Sequence, residues 1–398
     1  MSRPNLSVFS DTFLTRVIVE NFHETSAVTL KSPTFYSTIP NQDRYVVEEW
    51  MISDGPWTFA AVFDGHGGTE AADFISKEMP STVKNYLSSA LAQNSSVQND
   101  VLDEILERAF TTLDSRIIHG FMSLLPENHE SLTPEDMIPV FRERALDVNG
   151  KPRVEIRRAL SGTTATVALI DPSNGVHVAS VGDSDAYLST RDSDGNWQSQ
   201  FLGSDYRFSR TDNTEVERVR ALHPGEEMCV VVNSAGIARV LNYIILTSAL
   251  GDIQYKLPSR YNQVLNTVDP VNVDEHIIKH TLTPPYLTNM PVVKHTRLAE
   301  SSEKHSHYLI LSSDGLLDLY KLVHKTTHSE GAKRCALSAS LAQDEGRHMA
   351  AQLLWDAFGG DADDNALEKA VAKTLKGKVD DVTVVVVPLP FEPPGVPT

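Results

Sequence analysis

A carboxylate and an imidazole stand two residues apart in Asp64-Gly-His66, and Gly67 and Gly68 follow at once. Before them, Phe59 to Phe63 is apolar throughout, the pattern of a strand buried on both faces. After them, Ala71, Ala72, Phe74, Ile75 and Met79 recur at helical spacing. The acid and the imidazole therefore belong at the C-terminal edge of a buried strand, with glycines opening the backbone around them. Other acids share that setting. Asp43 precedes Tyr45-Val-Val47, Asp183 follows Val176–Gly182, Asp314 follows His307–Ser313, and Asp380 opens the run Val382–Val387. Strand ends of a packed sheet gather along one rim, so these five carboxylates can meet there. Carboxylates crowded together repel and take up protons unless a cation intervenes. Oxygen-only donors suit Mg²⁺ or Mn²⁺ better than zinc. One such Asp is ordinarily a turn cap; five at strand ends ask for a different account.

The elements that must hold these residues alternate between strands and helices. Thr69 to about Gln93 predicts an amphipathic helix, and a second follows caps at Ser95 and Ser96, with Val101, Leu102, Ile105, Ala109, Leu113 and Ile117 on one face. Residues 119–158 are charged and carry Pro126, Pro134 and Pro139, which predicts an irregular connection with some helix. A hairpin is expected from Ala159–Ile170 and Val176–Val181 across Asp171-Pro-Ser-Asn-Gly175. A charged helix over Asp212–Arg220 stops at His223-Pro-Gly225, and Leu246–Asp252 is another apolar approach to an acid. Residues 253–300, rich in proline, predict a surface excursion. Helices are expected over 337–358, stopping at Gly359-Gly360, and over about 364–376. The expected organisation is an N-terminal extension over 1–35, one domain over 36–388 and a Pro-rich tail over 389–398.

Composition sets outer bounds. The chain has 398 residues, 41% hydrophobic and 22% charged, as soluble globular proteins do. With 35 basic against 53 acidic residues its formal charge is −18, which argues against a nucleic-acid partner and suits a site that gathers cations. Cys229 and Cys335 lie far apart without metal-ligand spacing, which favours a reducing compartment over a disulfide framework. No apolar run reaches membrane-spanning length. The cytoplasm is the expected compartment, with the mitochondrial matrix as the alternative.

The ordered set Asn41-Gln-Asp43, Asp64-Gly-His-Gly-Gly68, Ser161-Gly-Thr-Thr164, Gly182-Asp-Ser184, Ala249-Leu-Gly-Asp252, Ser313-Asp-Gly-Leu316 and Asp380-Asp-Val-Thr383 resembles the metal-dependent serine/threonine protein phosphatases of type 2C. Thr283-Pro-Pro-Tyr286 and Asp43-Arg44 resemble the pyruvate dehydrogenase phosphatase branch in particular. The resemblance implies an α+β fold, a four-layer αββα sandwich in which two antiparallel sheets are flanked by helices. It implies a pair of Mg²⁺ or Mn²⁺ ions. Asp64 would bridge them, the Gly65 carbonyl would ligate one, Asp314 and Asp380 would complete one shell, and Asp43 would support the other ion. Asp183 matches the position linked to a third, weaker ion. The implied reaction is hydrolysis of phosphoserine and phosphothreonine in a phosphoprotein by a metal-bridged hydroxide. His66, which by itself reads as a structural histidine of its turn, becomes the general acid for the leaving oxygen.

Some positions depart from the family pattern. Ser37-Thr-Ile-Pro40 lacks the basic residue expected to hold substrate phosphate, which leaves Arg44 as its stand-in. Asp185 stands where an arginine is usual, and Asp381 where an asparagine is common. These changes leave a second reading open, a binding or regulatory protein of weakened catalysis, and a third, a hydrolase of small phosphate esters.

Overall fold

A computed structural model describes residues 17–22, 24–31, 40–53, 55–93, 97–209, 212–298, 307–360 and 380–389. Two antiparallel sheets form its centre. The first has six strands in the order β1-β2-β16-β15-β9-β10: β1 is Val17–Phe22, β2 Thr25–Leu30, β9 Asp185–Arg191, β10 Trp197–Phe201, β15 His307–Ser312 and β16 Val382–Leu389. The second has five in the order β14-β8-β7-β4-β3: β3 is Arg44–Ile52, β4 Gly55–Phe63, β7 Ala165–Ile170, β8 Gly175–Val181 and β14 Val292–Arg297.

Strand alternation divides the apolar residues among three cores. In β4, Ala60 and Val62 face the other sheet and meet Leu309, Leu311, Val385 and Val387. The intervening Phe59, Ala61 and Phe63 turn outward and pack with Ile75, Met79, Leu106 and Phe110. Those last four belong to helices α1 (Glu70–Leu91) and α2 (Asn99–Met122). The outer face of the six-stranded sheet is covered likewise, by α8 (Asp314–His324), α9 (His328–Asp344) and α10 (Met349–Ala357). The layers are therefore helix, sheet, sheet, helix, as expected. This explains why the strands read as continuous apolar runs: both faces of each are buried.

Four expectations change. Residues 17–30, weakly patterned in sequence, form the β1–β2 hairpin, and β2 pairs directly with β16. Residues 119–158 are more regular than they read, carrying α3 (Pro134–Ala145) and α4 (Val154–Leu160), with Met137, Phe141 and Ile156 buried. The described part of the expected excursion, 253–298, is not a surface loop but a set of short packed segments. Tyr255, Tyr261, Val264, Leu265, Ile277, Tyr286 and Leu287 are buried in the core against α1 and α2, around α6 (Ser259–Asn266) and α7 (Glu275–His280). Their prolines punctuate short packed segments instead of marking an exposed loop. The expected helix over 337–358 is two, α9 and α10, separated by a turn at Gly346, whose φ is +65°. The helix expected over about 364–376, the caps at Ser95 and Ser96, and most of the Pro-rich tail lie outside the described residues.

Candidate active site at the sheet rim

Asp64 directly follows β4, and the chain turns into the two-residue strand β5 (Gly65–His66). That strand pairs with β6 (Gly162–Thr163), which pairs in turn with β13 (Leu250–Gly251). The backbone around Asp64 is locked: its carbonyl accepts the Thr164 N–H at 2.9 Å, and its N–H donates to the Thr164 hydroxyl at 3.2 Å. Gly67 and Gly68 have φ of +69° and +143°, a path that other residues rarely follow. Gly65 is buried between the two functional side chains.

The other acids arrive from both sheets. Asp183 follows Gly182, whose φ is +84°, in the turn from β8 to β9. Asp314 is the first residue of α8, one step beyond Ser313, whose N–H donates to the Thr383 carbonyl at 3.0 Å. Asp380 precedes β16. Asp64, Asp183, Asp314 and Asp380 line one cleft of about 210 Å³ together with His66 and Thr164. Asp43 lies just beneath, buried, its N–H donating to the Asn41 side chain at 2.8 Å and its Oδ2 without a hydrogen-bond partner. Sequence reasoning thus named five acids from four distant segments that the fold brings together.

Their electrostatics show the crowding. Burial, followed by the charges of Asp43, Asp314, Asp183 and Asp380, pushes the Asp64 carboxyl well above the usual range. Burial and then Asp183 and Asp380 do the same to Asp314. Asp43 is pushed up to about 7 by burial and by Asp381. Burial also raises Asp183, against the Arg207 charge, and raises Asp380. Such a group wants a positive partner. No three of these carboxylates close to within 4.8 Å of one another, the spacing for a shared single ion; they ring a wider space.

His66 Nε2 meets Asp252 Oδ2 at 2.7 Å. Burial pulls the imidazole pKa down, but the Asp252 charge and hydrogen bond outweigh it, so the net shift is upward from 6.5. Asp252 was visible in sequence only as another acid after an apolar run. Its approach to His66 depends on Gly162, where a Cβ would lie 2.0 Å from Asp252 Oδ2 and 2.3 Å from His66 Nε2. Asp252 itself holds φ +54°, a left-handed conformation that Asp and Asn tolerate.

The basic residues are where sequence reasoning was corrected. Arg44 does not line the cleft. Its Nε donates to Asp73 at 2.7 Å, and its Nη1 donates to the carbonyls of Asn41 and Asp43 at 2.8 and 2.7 Å. It braces the loop carrying Asp43. Asp185, the acid in an expected arginine position, instead accepts Arg207 Nη1 at 2.8 Å, which brings a cation beside Asp183 from another segment. Arg239 was missed altogether. It sits on the hairpin β11 (Val230–Val232) and β12 (Ala238–Val240) and lines the cleft with Tyr243, Ile244, Ile245 and Leu246, its Nη1 donating to the Tyr243 carbonyl at 2.6 Å. Nothing in a three-residue strand signals that it overhangs a site formed elsewhere.

A model of the family described as protein phosphatase 2C matches residues 82–328, which include Asp183 and Asp314. A protein phosphatase 2C homolog of Schizosaccharomyces pombe is 29% identical over 292 residues, covering 71% of this chain and 58% of that protein. The mitochondrial [pyruvate dehydrogenase [acetyl-transferring]]-phosphatase 1 of Saccharomyces cerevisiae is 28% identical over 268 residues, covering 66% of this chain and 42% of its own length. The bovine protein of that name is 34% identical over 166 residues, 40% of this chain and 29% of its own. The chain thus spans about half the length of the first two relatives. The crystal structure of a serine-threonine phosphatase 2C from Toxoplasma gondii aligns over 93% of this chain and 98% of its own, with a TM-score of 0.55 at 14% identity, a likeness of fold. The family segment, extending over well more than half the chain and enclosing two of the acids at this rim, establishes that the chain belongs to the protein phosphatase 2C family of metal-dependent phosphatases.

Proposed function

We propose that this protein hydrolyses phosphoserine and phosphothreonine in protein substrates, with Mg²⁺ or Mn²⁺ as its cations. The observation that carries the reading is the ring of mutually repelling aspartates around one cleft. Those donors fit the metals: they are all oxygen, and a buried Asp43 oxygen has no hydrogen-bond partner. Asp64 would serve both ions, with Asp314 and Asp380 completing one shell, Asp43 supporting the other and the Gly65 carbonyl ligating one of the two. Asp183, with Asp314, would take a third and weaker one. Bound there, divalent cations lower the pKa of a water and neutralise phosphoryl oxygens.

The chain's own residues supply the rest. His66, kept protonated by Asp252, donates to the departing serine or threonine oxygen. Because Nε2 faces Asp252, Nδ1 is the nitrogen that delivers the proton. The acid must be protonated, so kcat falls as pH rises through the His66 pKa. Asp252→Asn removes the charge that raises this pKa while keeping the side-chain shape. The basic limb of the kcat–pH profile then moves to lower pH, and an unmoved limb would remove His66 from this role.

Arg239 takes the place of the basic residue absent from Ser37-Thr-Ile-Pro40, since it is half-buried and lines the cleft. A charge-assisted hydrogen bond to phosphate is worth about 1.5–3 kcal/mol. Arg239→Ala should therefore lower kcat/KM by at least about tenfold, mostly through KM. A variant with unchanged KM would place the phosphate elsewhere.

The direct test is phosphate release from a phosphoserine peptide with Mn²⁺ and with a chelator. The relatives' names make phosphorylated pyruvate dehydrogenase the first protein substrate to try, and the mitochondrial matrix a compartment to examine beside the cytoplasm. Equal rates with and without chelator would reject the metal-dependent reading. Tight metal binding without turnover would instead favour the binding-protein reading, which the engagement of Arg44 elsewhere keeps in play.

A further inference from the structure

A second cluster of donors lies at the opposite end of the five-stranded sheet. His177 on β8 and His295 on β14 are direct cross-strand partners. Asp103, from the beginning of α2, reaches over both. Its Oδ2 lies 3.0 Å from His295 Nδ1, and its Oδ1 lies 3.5 Å from His177 Nδ1. One donor atom from each of the three falls within 4.8 Å of the others, a spacing that among the described residues no other group of three meets. His276 and His280, one turn apart on α7, gather no third donor.

His177 makes this cluster unusual. Its side chain is 1% exposed, yet neither ring nitrogen has a hydrogen-bond partner, and Asp103 Oδ1 is also buried without one. A buried imidazole with both nitrogens unpaired is costly and rare in folded proteins. His177 points to the helix-side face of the sheet, in phase with Ala179 and Val181, and so toward α2. Its Nε2 lies 3.8 Å from Asp171 Oδ2. Asp171 is held in the β7–β8 turn, where its Oδ1 accepts the N–H groups of Ser173 and Gly175 at 2.7 and 2.9 Å. A carboxylate behind a histidine, on the side away from the other donors, is the usual support of a metal-ligating imidazole, because it holds the proton on the far nitrogen.

We propose that Asp103, His177 and His295 form a metal site separate from the acidic rim, suited to Zn²⁺. Two imidazoles and one carboxylate are a common zinc set, and they leave a fourth position for water. Mg²⁺ and Mn²⁺ prefer oxygen and are selected against here. The His295 side chain is 40% exposed, which gives an ion a way in. All three donors stand on regular elements, two of them on paired strands and one on the packed helix. β14 is the edge strand of its sheet, so the ion would clip that edge to α2. Six residues of extended chain separate His177 from Asp183, roughly 20 Å, so the two centres bind independently. The site does not rest on the phosphatase reading.

The test uses the full chain, stripped with chelator and returned to excess Mg²⁺. Zn²⁺ is then added, and the metal retained after gel filtration is measured by elemental analysis. The wild type and Asp314→Asn, which weakens the acidic centre, should each retain one equivalent and gain a few degrees in Tm. His295→Ala, at a partly exposed position, and Asp103→Asn should both lose that equivalent. Co²⁺ in place of Zn²⁺ should show tetrahedral visible absorption in the wild type and not in His295→Ala. Failure of the wild type to retain zinc would overturn the proposal. So would retention that survives in both His295→Ala and Asp103→Asn, or that disappears in Asp314→Asn.

Discussion

Asp64→Asn is expected to abolish metal-dependent phosphate release while leaving the fold intact. In the proposed arrangement Asp64 is the carboxylate shared between cations, so its loss removes the clamp on both. Such a clamp supplies several kcal/mol of barrier lowering, and each 1.36 kcal/mol is tenfold, so turnover should fall at least about 10³-fold. Stability should move the other way in the metal-free protein at neutral pH. Asp64 is surrounded by Asp43, Asp314, Asp183 and Asp380, and burial together with those charges already disfavours its ionised form. An amide of the same shape relieves that strain. The linked pH effect has a definite sign. The Asp43 carboxyl is raised from 3.8 to about 7, so the folded chain holds a proton there that the unfolded chain has released. Stability of the metal-free wild type therefore falls as pH rises from 3.8 to about 7. The rise in Tm on adding Mn²⁺ should grow across that window and be much reduced in Asp64→Asn. Thermal melts with and without Mn²⁺ over this pH range check both statements. A variant that retains activity, or that simply unfolds, would contradict this account of the site.

Asp114→Ala should be the most destabilising single substitution near the site, by about 3–5 kcal/mol. Asp114 on α2 is fully buried and organises three groups. Its Oδ1 accepts Lys256 Nζ and the Gly251 N–H, each at 2.8 Å, and its Oδ2 accepts Asn289 Nδ2 at 2.8 Å. Lys256, 5% exposed, also donates to the Ala249 carbonyl at 2.8 Å. The network is satisfied on both sides, so removing the acid leaves a buried ammonium and two unpaired donors. The expected loss is a large fraction of the 5–15 kcal/mol typical of a domain. It is measured as a shift in denaturant midpoint without a change in slope. Lys256→Met added to Asp114→Ala should recover part of the loss, because the stranded charge goes with it. The functional consequence lies one step away. Gly251 precedes Asp252, so the same network sets where the His66 partner stands. Asp114→Ala at permissive temperature should also weaken the basic-limb shift that Asp252 confers on the kcat–pH profile.

How much of this was readable in advance depends on whether the determining interactions are local. The apolar run before Asp64, its glycine turn and the helix after it are local, and Phe59–Phe63, Gly67-Gly68 and α1 appear where sequence put them. The five acids were legible because each ends or opens a buried strand. Residues 253–300 were misread because proline density is a local signal, whereas burial of Tyr261, Val264 and Tyr286 depends on helices more than a hundred residues away. The β1–β2 hairpin was missed for a similar reason: its strand pairing is with β16, at the other end of the chain.

From residue order alone came the chemistry: aspartates at strand ends, an imidazole among glycines, a doubly covered sheet and the expectation of hard cations. Side-chain type and period carry that information. Only the tertiary structure decided which charges face each other. It set Asp252 behind His66 across Gly162, paired Arg207 with Asp185, drew Arg44 away to Asp73, and hung Arg239 over the cleft. It also placed His177 opposite His295 beneath Asp103. Electrostatic partnership falls off with distance in space, and distance in space between remote segments is set by packing, which no local window of sequence contains.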